Sequence, residues 1–228
     1  MEQRIQQKFS EFNIYNTDLT YTLLDNIAKY TTDPLLYTTS YAKIIAFTGV
    51  AGAGKTTAQI ILKRECPDAI TLNFADALKE ICCATFSLYP KEAFYGTQAE
   101  KEKIYTKYSD DKPLSGRQIL QFVGTDIVRS VYPEFWLNCM RKKLFEYRNA
   151  KLVIIGDLRF DNEADLIHDF RGVVVGIVSG NADAVSSSTH ISERGISRAV
   201  SYKIVNHIGI TSVDEFKQEV KKIYSFLC

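Results

Sequence analysis

Apolar positions along the chain follow two rhythms. From Ala42 onward, short apolar runs alternate with longer amphipathic stretches. The runs KIIAFT (43–48), AITLNF (69–74), KLVIIG (151–156), VVVGIV (173–178) and KIVN (203–206) read as strands. Continuous apolar strands separated by helices predict a parallel sheet covered on both faces, since a strand with one wet face would alternate apolar and polar. Between the runs, apolar side chains recur at three- and four-residue spacing, which predicts helices at about 55–64, 75–86, 115–131, 133–147, 161–170 and 213–227. Residues 90–112 are polar and mixed and read as short helical pieces.

Before Ala42 the pattern differs. DLTYTLLDNIAKY (18–30) carries Leu19, Leu23, Leu24 and Ile27 at helical spacing, with Asp18 as the candidate cap. TTDPLLYTTS (31–40) reads as a linker. Residues 1–40 are therefore expected to be a helical N-terminal extension that packs on the domain or mediates association, and 41–228 the main domain.

Composition narrows the class. A chain of 228 residues, 46% hydrophobic and 24% charged, suits one soluble globular domain with an appendage. The formal net charge is +1, which gives no reason to expect a nucleic-acid polymer or an anionic membrane as partner. Nothing approaches the ~20 apolar residues of a membrane span, and MEQRIQQKFSEF lacks the apolar core of a signal peptide. The five cysteines are scattered, with no CxxC pair. They read as reduced thiols of a cytoplasmic protein and argue against a structural zinc site.

The strongest motif is GVAGAGKT (49–56), which satisfies GxxxxGK[ST] between a predicted strand and a predicted helix. Gly49, Gly52, Ala53 and Gly54 would let backbone N–H groups curl round phosphates. Lys55 would reach the β- and γ-phosphates, and Thr56 would ligate Mg²⁺, with Thr57 beside it in the helix start. The chain is thus expected to bind ATP or GTP. The loop alone does not name the reaction. A GTPase would carry an NKxD-type base-reading motif, and none is present. A motor would end a strand in Asp-Glu, whereas KLVIIG runs into Gly-Asp-Leu-Arg. A small-molecule kinase fits the order of elements best.

Two further stretches bear on the acceptor. In 115–130, Arg117, Gln121, Thr125 and Arg129 fall four apart, in one slanting polar stripe opposite Ile119, Leu120, Val123, Ile127 and Val128. Arginine and glutamine can grip a phosphate or read a base edge with two parallel hydrogen bonds. The alternative is a solvated face. Gly124 inside this helix costs ~1 kcal/mol relative to alanine, which suggests that something approaches it closely. In KLVIIGDLRFDNEAD (151–165), an apolar run delivers Asp157, Arg159, Asp161 and Glu163 within seven positions. Asp161 or Asn162 reads as a helix cap. Glu163 is open between capping box and site, and Asp157 between metal-side acid and turn cap.

Taken in order, GVAGAGKTT, FADALKE (74–80), GRQILQFVGTDIVR (116–129) with Trp136, VIIGDLRFDNEAD (153–165), and THISERG (189–195) before IVNHIG (204–209) resemble the deoxynucleoside monophosphate kinases of phages and related viruses. The resemblance spans about residues 44–227. It implies a P-loop NTPase fold of three α/β/α layers with a mainly parallel five-stranded sheet ordered 2-3-1-4-5. It implies ATP and Mg²⁺, transfer of the γ-phosphoryl to a dNMP, small-molecule nucleotide substrates, and a homodimer as in many relatives. By the same resemblance, Asp76 and Lys79 would lie near the acceptor. Arg117, Gln121, Gly124, Thr125 and Trp136 would form or support its pocket, with Trp136 open between core and ligand platform. Asp157, Arg159 and Glu163 would border the phosphates or a cover, and His190 and Glu193 the ATP base. Lys55, Arg117, Arg129, Arg159 and Asp157 are the expected catalytic set. The chain departs from many relatives in its 40-residue extension and in the uncharged Val50, Ala51 and Ala53 of the loop, so that Arg159 or Arg129 would have to bridge donor and acceptor phosphates. A kinase acting on dephospho-CoA or phosphomevalonate, and a non-enzymatic nucleotide-binding module, are the rival readings.

Overall fold

The apolar runs pair with one another. The computed structural model describes residues 2–11, 17–30, 42–105, 113–179, 196–197, 200–206 and 213–227. Its elements begin with α1 (Glu2–Glu11), α2 (Thr17–Ala28), β1 (Lys43–Thr48), α3 (Lys55–Glu65), β2 (Ile70–Leu72), α4 (Ala75–Thr85), α5 (Glu92–Tyr95) and α6 (Gln98–Glu102). They continue with α7 (Gly116–Gln121), a π-helical segment (Phe122–Arg129), α8 (Phe135–Glu146), β3 (Leu152–Leu158), α9 (Asp161–Asp169), β4 (Val173–Ser179), β5 (Tyr202–Asn206) and α10 (Val213–Leu227). The sheet order is β2-β3-β1-β4-β5, and all four pairings are parallel. This is the expected fold.

The chain forms two compact units. One joins Leu35–Phe74 to Met140–Cys228 and contains the sheet; the other joins Met1–Pro34 to Ala75–Cys139 and is helical.

In the sheet unit, period-two alternation sends Ile45, Phe47, Leu152, Ile154, Val175 and Ile177 into one cluster with Ala58 and Leu62 of α3 and Phe216 and Val220 of α10. Each such side chain, fully buried, contributes about 1.5–3 kcal/mol. On the other side, Gly172 at the start of β4 sits against Ile167 of α9 and Ile44 of β1. Two strands differ from the sequence expectation. β2 is only three residues long, and β3 does not stop at Gly156 but runs to Leu158. Its register against β1 steps from Ala46↔Ile155 to Thr48↔Leu158, so β3 carries one extra residue there. That bulge falls at Gly156 and Asp157.

In the helical unit, α1 and α2 of the N-terminal extension pack on the helices that follow β2. Ile5, Phe9, Leu19, Leu23 and Ile27 are buried with Ile81, Phe86, Phe94, Phe122 and Trp136. The Phe9 and Phe122 rings meet edge to face at 5.5 Å. Asn26 donates from Nδ2 to Thr85 Oγ1 at 3.1 Å, and both residues are buried. Asp18 lies within the first turn of α2 rather than capping it.

The stretch 115–131 is not one α-helix. Ser115 caps α7 with a capping box: its Oγ accepts from Gln118 N at 3.3 Å, and Gln118 Oε1 accepts from Ser115 N at 2.9 Å. After Gln121 the winding changes to π over Phe122–Arg129.

Candidate active site

Phosphate-binding geometry arises where β1 ends. Gly49, Gly52 and Gly54 all have positive φ, at 144°, 79° and 110°, so the loop takes a path that residues with a Cβ adopt only under strain. Gly54 stands at the N-cap of α3 with no side-chain cap. The first-turn N–H groups of an uncapped helix are a ready anion cradle. Lys55 Nζ donates to the carbonyls of Gly49 (2.6 Å) and Val50 (2.8 Å), which holds its charge over the loop. Thr56 and Thr57 are exposed on the first turn of α3. Ala53 is buried, and its carbonyl accepts a 2.9 Å hydrogen bond from Asn206 Nδ2 at the end of β5. A Cβ on Gly54 would lie 2.9 Å from that Asn206 nitrogen and 3.3 Å from the Phe216 ring of α10. Asn206 and Phe216 therefore brace the loop from below. Phe216 carries no signal of this role in the sequence; Asn206 falls within IVNHIG, as a polar side chain at the C-terminal end of an apolar strand, where ligands gather in open α/β sheets.

Asp157 is a strand residue. Its Oδ1 accepts from Phe74 N at 2.8 Å, which ties β3 to the chain leaving β2. The bulge presents it beside Gly156, where the Gln59 amide of α3 lies so close that a Cβ would meet its nitrogen at 2.0 Å. Arg159 is exposed just past the strand. Glu163 is 2% exposed, and its Oε2 accepts from Arg159 N (2.8 Å) and Phe160 N (3.2 Å). It therefore closes the N-terminus of α9 and fixes the Arg159 backbone. The cap position is Phe160, not Asp161 or Asn162. Asp161 instead accepts from Ser197, N at 2.8 Å and Oγ at 2.5 Å, because helix α9 begins one residue earlier than a carboxylate cap requires.

A second polar face belongs to the helical unit. Asp76 and Lys79 lie on the first turns of α4, half-buried, with Lys79 Nζ 3.9 Å from Asp76 Oδ1 and 5.6 Å from the Tyr95 ring centroid. Lys91 approaches the same ring at 5.2 Å. Arg117, Gln121, Thr125 and Arg129 are all half-buried, between buried neighbours Ile119, Phe122, Val123, Ile127 and Val128. Arg117 Nη1 is 4.0 Å from Glu102 Oε1. The close approach expected at Gly124 is real: a Cβ there would meet Leu78 Cδ2 of α4 at 2.7 Å. Its carbonyl accepts a 2.8 Å hydrogen bond from the Trp136 indole N–H. Trp136 is 4% exposed, so it supports the stripe from behind. His190 and Glu193, with the rest of THISERG, lie outside the described residues.

Mg²⁺ binds through one or two protein oxygens, with water and phosphate completing its shell. Thr56, exposed on the loop helix, and the Asp157 carboxylate at the bulge are oxygen donors of that kind. No described helix is long and apolar enough to cross a membrane.

A loop with these three glycines and its lysine, feeding from the central strand of a parallel sheet ordered β2-β3-β1-β4-β5, defines a P-loop kinase of the nucleoside monophosphate kinase type. The chain belongs to the deoxynucleotide monophosphate kinase family, whose sequence profile matches residues 90–220. It is 33% identical over 189 residues to a "Putative deoxynucleotide monophosphate kinase" of Acanthamoeba polyphaga mimivirus, covering 78% of this chain and 93% of that protein. It is 28% identical over 114 residues to the deoxynucleoside-5'-monophosphate kinase of Escherichia phage T5, covering 47% of this chain and 44% of that one.

Proposed function

We propose that this chain transfers the γ-phosphoryl group of ATP to a deoxynucleoside monophosphate, giving ADP and a deoxynucleoside diphosphate for dNTP supply. The observation that carries the reading is the half-buried face of Arg117, Gln121, Thr125 and Arg129. A protein that only bound ATP would need the phosphate loop and no second face of phosphate-gripping and base-reading side chains.

An oxygen of the acceptor phosphate attacks the γ-phosphorus. A new P–O bond forms as the bond to the β–γ bridging oxygen breaks, and that oxygen leaves on ADP. No general base is needed, because the acceptor phosphate is already an anion at neutral pH. Catalysis is then positioning and charge neutralisation. The loop N–H groups and Lys55 hold the donor phosphates, and Arg117, Arg129 and Arg159 neutralise the group in flight. Thr56 would hold Mg²⁺, with Asp157 orienting its water or an arginine, and the ion would supply charge neutralisation for the donor phosphates.

A panel of the four dNMPs, the matching NMPs, dephospho-CoA and phosphomevalonate, with ADP release as readout, tests this. Turnover is expected with at least one dNMP, and none with the last two compounds. Lys55→Met should lower that turnover by about 10²-fold or more while the fold is retained. Turnover with no dNMP, or an unchanged rate in Lys55→Met, would overturn the reading.

A further inference from the structure

The polar stripe raises a geometric problem that the π segment solves. An α-helix completes a turn in 3.6 residues, so a step of four overshoots by about 40°. Three such steps would carry Arg129 about 120° away from Arg117, too far for both to face one small ligand. A π-helix, bonded i→i+5, winds more slowly, and four residues fall short of its turn. The segment Phe122–Arg129 is π-wound. The step from Arg117 to Gln121 therefore drifts one way, and the steps to Thr125 and Arg129 drift back. All four side chains are half-buried.

A π winding is rare and is found frequently at functional sites. Gly124, in the middle of the segment, is where two other elements meet it. Its missing side chain lets Leu78 approach, and its carbonyl accepts from Trp136 Nε1 at 2.8 Å. Trp136 is itself fixed by the Phe135 ring, edge to face at 4.7 Å.

The geometry points to Trp136 as a positioning residue for the acceptor: its indole N–H pins the π-wound segment at Gly124 and so keeps Arg117, Gln121, Thr125 and Arg129 on one face toward the deoxynucleoside monophosphate. This rests on the reading of that stripe as the acceptor site. Trp136 touches no substrate in this assignment; it acts through the carbonyl of Gly124.

Trp136 is the single tryptophan of the chain, which makes the test clean. Replacing it biosynthetically by benzothienylalanine keeps the bicyclic shape and removes only the N–H. Trp136→Phe serves as a second, genetically encoded removal. One hydrogen bond of this kind predicts a rise in KM for the dNMP of about three- to tenfold, with KM for ATP nearly unchanged and Tm lowered by a few degrees as the buried Gly124 carbonyl loses its donor. In the native enzyme, dNMP should shift the emission of Trp136. An unchanged dNMP KM in the benzothienyl protein, alongside a raised dNMP KM in Arg117→Ala and Gln121→Ala, would overturn the positioning role and leave the acceptor site standing. Unchanged dNMP KM in all of these variants would instead overturn the acceptor site itself. Equal rises in the KM for ATP and for dNMP would show a merely structural tryptophan and would also overturn the proposal.

Discussion

The side-chain amide of Asn206, at the end of β5, holds the carbonyl of Ala53 inside the phosphate loop at 2.9 Å. The phosphate loop is thus shaped by a strand residue 153 positions later in sequence. Asn206→Ala should raise KM for ATP by about three- to tenfold, the size of one net hydrogen bond. Asn206→Asp should be worse, since a carboxylate would face a carbonyl and the incoming phosphates. The KM for dNMP should move little in either, as steady-state kinetics with each substrate varied in turn will show. Gly54→Ala, which combines a φ of 110° with the Asn206 and Phe216 contacts, should remove ATP binding.

Asp157 has two separable duties. Its bond to Phe74 N is structural, and its charge is proposed to serve the phosphates. Asp157→Asn keeps an acceptor for Phe74 and should leave Tm near the native value, while kcat drops about tenfold or more with the charge gone. Asp157→Ala leaves that N–H without its acceptor and should also cost about 1–3 kcal/mol of stability. Denaturant titration beside the kinetic measurement distinguishes the two effects.

Phe9 packs its ring against Phe122, the first residue of the π segment. Phe9→Ala should destabilise the protein by about 3–5 kcal/mol. In the surviving folded fraction the KM for dNMP should rise more than that for ATP. Equal effects on both substrates would mean that α1 only adds stability.

Burial, together with the Glu80 carboxylate that its hydroxyl meets, raises the Tyr30 phenol above its ordinary value of 10.0. Burial pushes Tyr95 up to about 12. Both phenols keep their protons longer in the folded chain than in the unfolded one. Their contribution is therefore full below about pH 10 and is lost as pH climbs through the folded-state values. Urea midpoints should fall above that pH. In Tyr30→Phe/Tyr95→Phe the fall should be shallower than in the native protein.

Much of this was readable in advance for a physical reason. Strands buried on both faces have no choice but to be apolar, so KLVIIG and VVVGIV announced themselves, and a phosphate loop needs glycines at fixed offsets. The π winding was not readable. FVGTDIVR fits an α-helix by composition, and only Gly124 hinted at a contact, because the cause lies in Leu78 and Trp136, distant in sequence. The same is true of Asp161. A carboxylate just before an apolar helical run looks like a cap, and the partner that claims it, Ser197, sits 36 residues downstream. Asn206 falls within IVNHIG, but nothing local marks it as a brace. The particular contacts of α1 and α2 were not readable either, because their partners lie far downstream in sequence.

Strand β1 also constrains the order of assembly. It pairs with Leu152 onward on one side and Val173 onward on the other. Both neighbours leave the ribosome more than a hundred residues after it. The helical unit is complete by Cys139, before either neighbour has been made. During synthesis, therefore, the helical unit can close first, while the central strand of the sheet waits with both edges open. Sheet formation becomes the slow, non-local step of folding, and β1 is the segment most in need of shelter until β3 arrives.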